Sequence, residues 1–373
     1  MAEQRLMKDG LGKDAIGRIA KSLAHTVPDF PGEDFTADAL DGIQSLELKD
    51  RVRHLIAVLH DFLPQDFEQA AEILVALKSG WDRGDAGDNL AGFAAWPIID
   101  YIGEYGLDHP ATSLKALREL TSMFSAEFAI RPFIINHFEL TFQTMEAWTN
   151  DADEHVRRLI SEGSRPRLPW GQQLPQFIAD PAPVFQLLEK LKDDPSEYVR
   201  RSVANNLNDI SKDHPEYVIA LCKRWKKTAT PERQWIIRHA TRTLVKAGHP
   251  AVFGLLGYTE NLKLSLQSLD VSPKAIQLGE AVEFKAAIKS ASKQSQKVVI
   301  DYAIHHMKAN GKTSPKVFKF RTLEIASGET VDLTKRHAIK PITTRKYYSG
   351  EHAIEILING KTFGKTTFTL RLD

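Results

Sequence analysis

One short stretch of the sequence combines several residue types that can do chemistry. Between two segments with helical patterning runs S-E-G-S-R-P-R-L-P-W-G, residues 161–171, which contains a carboxylate, two arginines, two prolines and a tryptophan. Prolines stiffen a connecting segment, so we expect Trp170 and the arginines to be held in a fixed geometry. The segment is therefore a candidate wall of a binding or catalytic cleft.

This stretch overlaps the end of the first of three related helical patterns. They read D-E-H-V-R-R-L-I-S-E (153–162), S-E-Y-V-R-R-S-V-A-N (196–205) and Q-W-I-I-R-H-A-T-R-T (234–243). The equivalent residues Val156, Val199 and Ile237 are 43 and 38 residues apart. This is the period of HEAT-type repeats, in which stacked helix pairs share one core. The repeated arginines are expected to form a basic stripe on one face of the stack.

The repeat alignment also brings three polar residues to one place. Glu162 is equivalent to Asn205, and Asp209 lies one turn beyond Asn205 on the same helical face. Glu162, Asn205 and Asp209 are therefore predicted to converge beside the arginines. A structural interpretation stays open for each, because Asp and Asn in such repeats often satisfy neighbouring backbone groups, and a single tryptophan is usually part of a core.

Helical patterning extends over roughly the first 255 residues. Apolar residues recur at spacings of three and four in segments 16–27, 40–63, 67–78, 96–105, 111–124, 133–148, 154–162, 182–192, 196–212, 215–227 and 231–247. Prolines at 110, 195, 215 and 250 follow Asp or His and separate these segments. Since proline fits the first turn of a helix, several of these positions are predicted helix starts.

The spacing of apolar residues changes from a helical to a strand-like pattern after residue 257. Segments 262–269, 281–287, 298–306, 317–323, 330–333, 352–358 and 366–372 alternate apolar with polar residues, as strands do. Asn359-Gly360 between two such runs predicts a tight hairpin. The sequence thus predicts a mainly α, HEAT-like helical-repeat solenoid over 1–257 and an all-β, immunoglobulin-like sandwich over 258–373.

Composition adds limits on the class of protein. The single cysteine, Cys222, excludes an internal disulfide framework, fits the cytoplasm and is predicted to be buried packing. We expect no secretory signal and no membrane-spanning segment. Residues 260–373 contain 19 Lys and Arg against 11 Asp and Glu, whereas the remainder has a small acidic excess. This asymmetry indicates a polyanionic partner for the C-terminal part or, as an open alternative, only a soluble surface.

Several common kinds of active site are absent from the sequence. It has no glycine-rich phosphate loop, no dinucleotide fingerprint and no paired-histidine zinc motif. His305 and His306 are adjacent in a predicted strand, so they point to opposite faces and would not chelate together. No iron triad of an oxidative demethylase is present either. We therefore expect neither a metal nor another cofactor.

The combined pattern resembles the AlkC family of bacterial DNA alkylation-repair glycosylases, which are relatives of AlkD. The resemblance depends on R-R-L-I-S-E-G-S-R-P-R-L-P-W (157–170) and V-R-R-S-V-A-N-N-L-N-D (199–209), with support from Trp96-Pro97 and S-A-E-F-A-I-R-P (125–132). It covers the whole helical part. The appended immunoglobulin-like domain also fits, because some members of the family carry one.

The resemblance implies hydrolysis of the N-glycosidic bond of 3-methyladenine and 3-methylcytosine in double-stranded DNA, by a monomeric, monofunctional enzyme of base excision repair. By position in the matching motifs, Glu162 and Asp209 are the carboxylates that face the lesion, and Glu127 is a third. Trp170 would stack on the base or the sugar. The predicted DNA contacts are Arg157, Arg158, Arg165, Arg167, Arg200, Arg201, Asn205, Arg238, Arg242, Lys335, Arg336, Arg345 and Lys346.

Two questions stay open from the sequence. Adjacent arginines on a helix diverge by about 100°, so at least one of each pair is expected to be a surface or ion-pair residue. A non-catalytic HEAT scaffold that binds nucleic acid or protein is the alternative function, because a fold alone does not define an activity.

Overall fold

The computed structural model of the protein describes residues 6–372. The chain separates into two compact units, with the division after Asp213. In the described part of the chain, the first unit contains only helices, whereas the second contains a few further helices and then the strands. Between residues 6 and 372, none of the helices combines the length and the apolar character needed to cross a lipid bilayer.

The first unit is a succession of helices joined by short turns. They are α1 (Lys13–Thr26), α2 (Gly32–Leu40), α3 (Leu48–Phe62), α4 (Phe67–Ala76), α5 (Trp96–Tyr105), α6 (Pro110–Leu120), α7 (Arg131–Asn136), α8 (Phe138–Trp148), α9 (Glu154–Gly163), α10 (Pro175–Ala179), α11 (Ala182–Leu191) and α12 (Glu197–Ile210). Short 3₁₀ helices cover Met7–Leu11, Ile43–Ser45, Leu77–Gly80 and Ala91–Ala95. This is the predicted helical-repeat class.

One predicted helix begins later than expected, and two others are each divided in two. The segment 40–63 is interrupted because Gly42 adopts a left-handed conformation (φ 67°), and α3 begins only at Leu48. The segment 133–148 breaks at His137, whose imidazole Nε2 lies 2.8 Å from the carbonyl oxygen of Leu107. The segment 231–247 breaks at Thr241. These breaks depend on tertiary contacts and backbone conformation, which apolar spacing does not encode.

Helices α9 and α12, which the repeat alignment made equivalent, pack against each other. Ser161 Oγ on α9 lies 2.7 Å from Ser202 Oγ on α12. The side-chain amide Nδ2 of Asn206 donates to the backbone carbonyl oxygen of Ser161 at 2.8 Å. The apolar faces are buried as well, for example Val156 and Val199. The two equivalent helices are thus neighbours in space.

The second unit begins with helices and ends with two β-sheets. Its elements are α13 (Pro215–Lys226), α14 (Pro231–Ala240), α15 (Arg242–Lys246), α16 (Pro250–Leu255), β1 (Leu264–Ser272), β2 (Ala275–Gln277), β3 (Ala281–Ser290), β4 (Gln296–Met307), β5 (Thr313–Ile325), β6 (Thr330–Ala338), β7 (Gly350–Ile358) and β8 (Lys361–Arg371). Pro110, Pro215 and Pro250 each begin a helix, as predicted.

The strands form the predicted sandwich. One sheet has the order β1-β3-β6 and the other β2-β8-β7-β4-β5. Phe284 from the first sheet and Ile356 and Phe368 from the second lie in one buried apolar core. Asn359 and Gly360 both have positive φ angles and join β7 to β8, which confirms the predicted hairpin. Strand β2 was missed, because a three-residue strand carries too little alternation to be recognised.

Candidate active site

Arg131, the first residue of α7, holds the segment between α9 and α10 in place. Its side chain is 0% exposed, and it donates to the carbonyl oxygens of Gly163 at 2.8 Å and Arg165 at 2.9 Å. A third hydrogen bond runs from Nε to the carbonyl oxygen of Gln172. Burial, with the nearby charge of Arg165, lowers the pKa of Arg131 to about 10, so the group stays charged at neutral pH. No local pattern around Arg131 predicts this role.

Trp170 stands out from the same segment. Its side chain is 53% exposed, so it is not part of the core. Its backbone is left-handed, with φ 65°, a conformation that is strained for a bulky residue. The ammonium of Lys49 donates to its carbonyl oxygen. The amide of Gly171 donates to the carbonyl oxygen of Leu168 at 3.1 Å, which closes the turn. The turn thus directs the indole ring of Trp170 towards solvent, and it does so with a backbone conformation that tryptophan rarely adopts.

Glu162 and Asp209 are joined through one guanidinium. Arg165 donates to Glu162 Oε1 at 2.5 Å and to Asp209 Oδ2 at 2.7 Å. Ser202 Oγ donates to Glu162 Oε2 at 2.6 Å, and Lys212 Nζ lies 2.8 Å from Asp209 Oδ1. Glu162 is 5% exposed and Asp209 is 2% exposed. Both carboxylates are therefore nearly withdrawn from solvent and rigidly positioned.

Glu127 extends this network on the other side. Arg158 donates to Glu127 Oε2 at 2.6 Å and lies 3.6 Å from Glu162 Oε1. Burial opposes the charge of Arg158, but the carboxylates of Glu127 and Glu162 outweigh it and raise the pKa of this guanidinium. The guanidinium also lies 4.9 Å from the ring centre of Tyr198. Three predicted site carboxylates are thus connected by two arginines, Arg158 and Arg165.

The other predicted DNA-contact residues of the first unit differ in how much of their hydrogen-bonding capacity is used within the chain. Arg157 binds Asp194 at 2.7 Å, and Arg200 donates to the carbonyl oxygens of Asp194 and Pro195 at 2.6 and 2.8 Å. Arg167 pairs with Asp213 through two hydrogen bonds of 2.8 Å. Arg157 and Arg200 attach the segment before α12 to helices α9 and α12, and Arg167 joins two connecting segments. They illustrate the expectation that adjacent arginines do not all face outward.

Arg201 is exposed, and its contact is an ion pair of 2.6 Å with the exposed Glu197. Asn205 is partly exposed, whereas its neighbour Asn206 is the residue buried between α9 and α12. The repeat alignment therefore located the right turn of helix but did not identify Asn206 as the connecting side chain.

The predicted basic residues of the second unit are mostly on its surface. Exposed side chains are Arg238, Lys335, Arg336 and Lys346, and Arg242 and Arg345 are partly exposed. Arg242 donates to the carbonyl oxygen of His239 at 2.6 Å. Cys222 is buried, as predicted, and burial raises the pKa of its thiol to about 12. Within residues 6–372, no three His, Cys, Asp or Glu side chains are grouped so that they could hold a metal ion.

Two family models match this chain. One describes DNA alkylation repair enzymes and matches residues 123–244, which include the carboxylate–arginine network. The other describes the C-terminal Ig-like domain of the uncharacterised protein YhaZ and matches residues 265–372. Helical repeats with this network, followed by an Ig-like sandwich, therefore define a protein of the DNA alkylation repair class.

Two relatives narrow the class to a family. YhaZ of Bacillus subtilis (strain 168) is 39% identical over 356 residues, which cover 95% of this chain and 96% of that protein. The solved structure of Pseudomonas fluorescens alkylpurine DNA glycosylase AlkC, bound to DNA containing an abasic site analog, matches with a TM-score of 0.91 and 37% identity over 98% of this chain and 100% of that one. The chain belongs to the AlkC family.

Proposed function

We propose that the protein is a monofunctional DNA glycosylase that hydrolyses the N-glycosidic bond of cationic N3-alkylated bases, 3-methyladenine and 3-methylcytosine, in double-stranded DNA. The observation that carries the proposal is the joining of Glu162 and Asp209 by Arg165, in the segment that also presents the exposed Trp170. Membership of the AlkC family supports it. In this proposal residues 1–257 excise the base and residues 258–373 contact DNA.

The proposed reaction suits a site without an obvious general acid. Alkylation at N3 gives the base a positive charge. When the bond between C1′ and the base breaks, its electron pair moves to the base, which leaves as a neutral molecule without being protonated. Positive charge then develops on the deoxyribose, and water adds to C1′ and loses a proton. What the protein must supply is negative charge near the sugar and a position for the water.

The three carboxylates provide that negative charge in a fixed arrangement. Arg158 and Arg165 hold Glu127, Glu162 and Asp209 in place through hydrogen bonds of 2.5–2.7 Å. Because the groups are already oriented, little reorganisation is needed when charge develops on the sugar. Glu162 and Asp209 are almost fully withdrawn from water, and Glu127 is partly exposed. Withdrawal from water strengthens the interaction, since the effective dielectric constant is lower in such a site. Loss of one such carboxylate is expected to cost about 2–4 kcal/mol of transition-state stabilisation.

Trp170 and the exposed basic residues are assigned to DNA binding. The outward indole ring of Trp170 would stack on the cationic base or the deoxyribose, a contact of ~1–2 kcal/mol. Phosphate contacts are assigned first to the exposed cations Arg201, Arg238, Lys335, Arg336 and Lys346. Arg157, Arg167 and Arg200 use much of their hydrogen-bonding capacity within the chain, and they are assigned to support the site.

The direct test is excision from a duplex oligonucleotide that carries one 3-methylcytosine, with EDTA present. The expected products are the free base and an abasic site in an unbroken strand. A second duplex with 3-methyladenine tests the other lesion. If neither base is released, or if release requires a metal ion, the proposal is wrong.

Two variants test the carboxylates. Glu162→Gln and Asp209→Asn should reduce the excision rate by about 30- to 1,000-fold while DNA affinity changes little. Glu189→Gln is the control, since it removes an exposed carboxylate from α11 whose ion pair is with Lys192. A parallel loss of excision and DNA binding in both site variants would instead assign these carboxylates to a structural role.

A further inference from the structure

The turn that presents Trp170 is held by two cationic side chains that come from different helices. The ammonium of Lys49, on α3, donates a hydrogen bond to the carbonyl oxygen of Trp170. The guanidinium of Arg131, on α7, donates to the carbonyl oxygen of Gln172. Lys49 is 121 residues from Trp170 in the sequence, so its contact is made only in the folded chain. Two nearby carbonyl groups of the turn therefore depend on distant elements for these hydrogen bonds.

The turn needs such support because its conformation is unfavourable. Trp170 has a φ angle of 65°, and a left-handed backbone at a bulky residue costs about 1–3 kcal/mol. Inside the turn, the backbone amide of Gly171 donates to the carbonyl oxygen of Leu168 at 3.1 Å. The turn is also tight, since a Cβ atom at Gly171 would lie 2.9 Å from Cδ2 of Leu168. A conformation of this kind persists only when the surrounding structure fixes it.

Arg131 and Lys49 differ in how much of the fold depends on them. Arg131 is completely buried and also binds the carbonyl oxygens of Gly163 and Arg165, so its loss would disturb the whole segment. Lys49 is exposed, and an exposed contact of this kind adds little to the stability of the fold. Lys49 also lies in the first turn of α3, where the helix dipole disfavours a positive charge. Helix α3 itself therefore gains nothing from an ammonium here, whereas the turn of Trp170 gains a hydrogen-bond donor.

The contact of Lys49 acts on the direction of the indole ring. A hydrogen bond to the carbonyl oxygen of Trp170 fixes the peptide plane that follows this residue, and with it the backbone from which the indole projects. The ring itself is 53% exposed, so side-chain packing alone restrains it little. Displacement of a substrate-contacting group by about 1 Å can lower a reaction rate by about 100-fold. A small change in the turn should therefore alter the reaction without a large change in stability.

We infer that Lys49 is a positioning residue for base excision: by holding the carbonyl oxygen of Trp170, it sets the direction in which the indole meets the alkylated nucleotide. The inference rests on the proposed function, in which this indole stacks on the base or the deoxyribose. In this role Lys49 does not contact the reacting atoms and acts through Trp170. A lysine that instead left the turn to bind a DNA phosphate would affect the binding of every duplex, damaged or not. The two roles can therefore be separated by experiment.

Single-turnover excision at saturating protein measures the reaction, and fluorescence anisotropy at several salt concentrations measures DNA binding. Lys49→Met keeps the length of the side chain and removes the ammonium, so the rate constant should fall by about tenfold, with DNA affinity and its salt dependence unchanged. Lys49→Arg keeps a cationic donor and should restore most of the rate. Lys190→Met is the matched control and should not change the rate, because it removes an exposed lysine on α11 that pairs with Glu146. Urea denaturation checks the fold, and Lys49→Gln replaces Lys49→Met if the latter does not fold.

A double-mutant cycle tests whether Lys49 acts through Trp170. In a Trp170→Ala background the indole is already absent, so Lys49→Met should lower the excision rate little further. Equal losses in the wild-type and Trp170→Ala backgrounds overturn the inference. Weaker DNA binding with a shallower salt dependence also overturns it, because Lys49 would then bind a phosphate.

A measurement without DNA separates this inference from the proposed function. The full-length protein is labelled with 5-fluorotryptophan, and the fluorine resonance of Trp170 is identified by its loss in Trp170→Phe. Lys49→Met should shift or broaden this resonance and leave that of the buried Trp225 unchanged. An unchanged Trp170 resonance overturns the role of Lys49 even if the wild type excises bases. A changed resonance in a protein that excises no base overturns the glycosylase proposal and leaves Lys49 as the support of the turn.

Discussion

The guanidinium of Arg165 lies between Glu162 and Asp209, 2.5 Å from the first carboxylate and 2.7 Å from the second. One side chain from a connecting segment thus joins the last turn of α9 to α12. The carboxylates come from equivalent parts of two repeats, but Arg165 has no equivalent in the second repeat. The repeats create the proximity, and the inserted segment turns it into an ionic site.

Removal of Arg165 should therefore be costly for the fold. Arg165→Leu leaves two buried carboxylates without their shared partner, and the free energy of unfolding should fall by about 3–5 kcal/mol. Arg165→Lys keeps the charge but cannot bind both carboxylates with the same geometry, so a smaller loss is expected. Urea denaturation measures both. Arg167→Leu, which breaks a more exposed pair with Asp213, is the control and should lower the stability much less.

Substitution of Trp170 should lower the excision rate without lowering the unfolding temperature. Because its backbone has φ 65°, Trp170→Gly relieves strain of about 1 kcal/mol, and the exposed indole contributes little to the core. Thermal unfolding should therefore occur at an equal or higher temperature, while the excision rate falls. Trp170→Ala should also lose excision but should not gain stability, since alanine stays strained at positive φ. A large loss of stability in the glycine variant would show that the indole serves the fold.

Local signals in the sequence predicted local structure well. Asn359-Gly360 defines its hairpin because two consecutive positive φ angles are required there, and Pro215 defines the start of α13. The spacing of 43 residues between Val156 and Val199 also predicted which helices carry equivalent positions. The contact between α9 and α12 follows from that repeat, so the proximity of Glu162 and Asp209 was accessible before the structure.

The hydrogen-bond partner of each arginine could not be predicted from the sequence in this way. Arg131 precedes a proline in a helix start, and nothing local shows that its guanidinium is buried under residues 163–172. Arg157 and Arg201 belong to the same repeated motif, yet one fastens Asp194 and the other stands on the surface. The choice depends on distant carboxylates and carbonyl oxygens, which only the folded chain brings into reach. The buried carboxyl oxygen of Asp100, on α5, which has no partner among the described residues, was not predicted for the same reason.

Arg157 and Arg201 should accordingly behave in opposite ways. Arg157→Ala removes hydrogen bonds to Asp194 and to the carbonyl oxygen of Asp151, so it should lower the unfolding temperature and reduce DNA affinity only slightly. Arg201→Ala should leave stability nearly unchanged and weaken DNA binding, with a less steep dependence on salt concentration. Fluorescence anisotropy at several salt concentrations, beside thermal denaturation, measures both effects. The reverse assignment would place Arg157 on the DNA.

Asp100 should make the first unit less stable as the pH rises. Its folded pKa of about 7 exceeds the ordinary value of 3.8, so between these values the folded chain binds more protons than the unfolded chain. Stability is therefore lost as the pH rises from about 4 to 7, by up to about 4 kcal/mol. Asp100→Asn cannot titrate, and its stability relative to wild type should grow across this window and then stay constant. Denaturation of both proteins at pH 4, 6 and 8 tests this, and a constant difference would contradict it.

The histidines of the sandwich should produce the opposite dependence in the second unit. His306 is buried with both ring nitrogens unpartnered among the described residues. Burial lowers its pKa to about 3, and the charge of Arg345 and neighbouring histidines adds to the effect. Burial likewise lowers the pKa of His337 to about 4. Both are neutral in the folded state at a pH where the unfolded chain already protonates them.

Stability of this unit is therefore full above about pH 6.5 and falls as the pH drops towards 4, by up to about 1.4 kcal/mol per pH unit for each histidine. His306→Phe keeps an aromatic ring beside Tyr347 and His352 but removes the titrating group, so the acid-induced loss should be smaller by about one proton. His25→Phe, in the first unit, is the control and should leave the loss in the sandwich unchanged. Hydrogen exchange of the backbone amides of β4 at pH 4.5, 5.5 and 7.5 follows the sandwich separately from the helical repeats. Equal slopes for wild type and His306→Phe would mean that His306 is protonated in the folded chain.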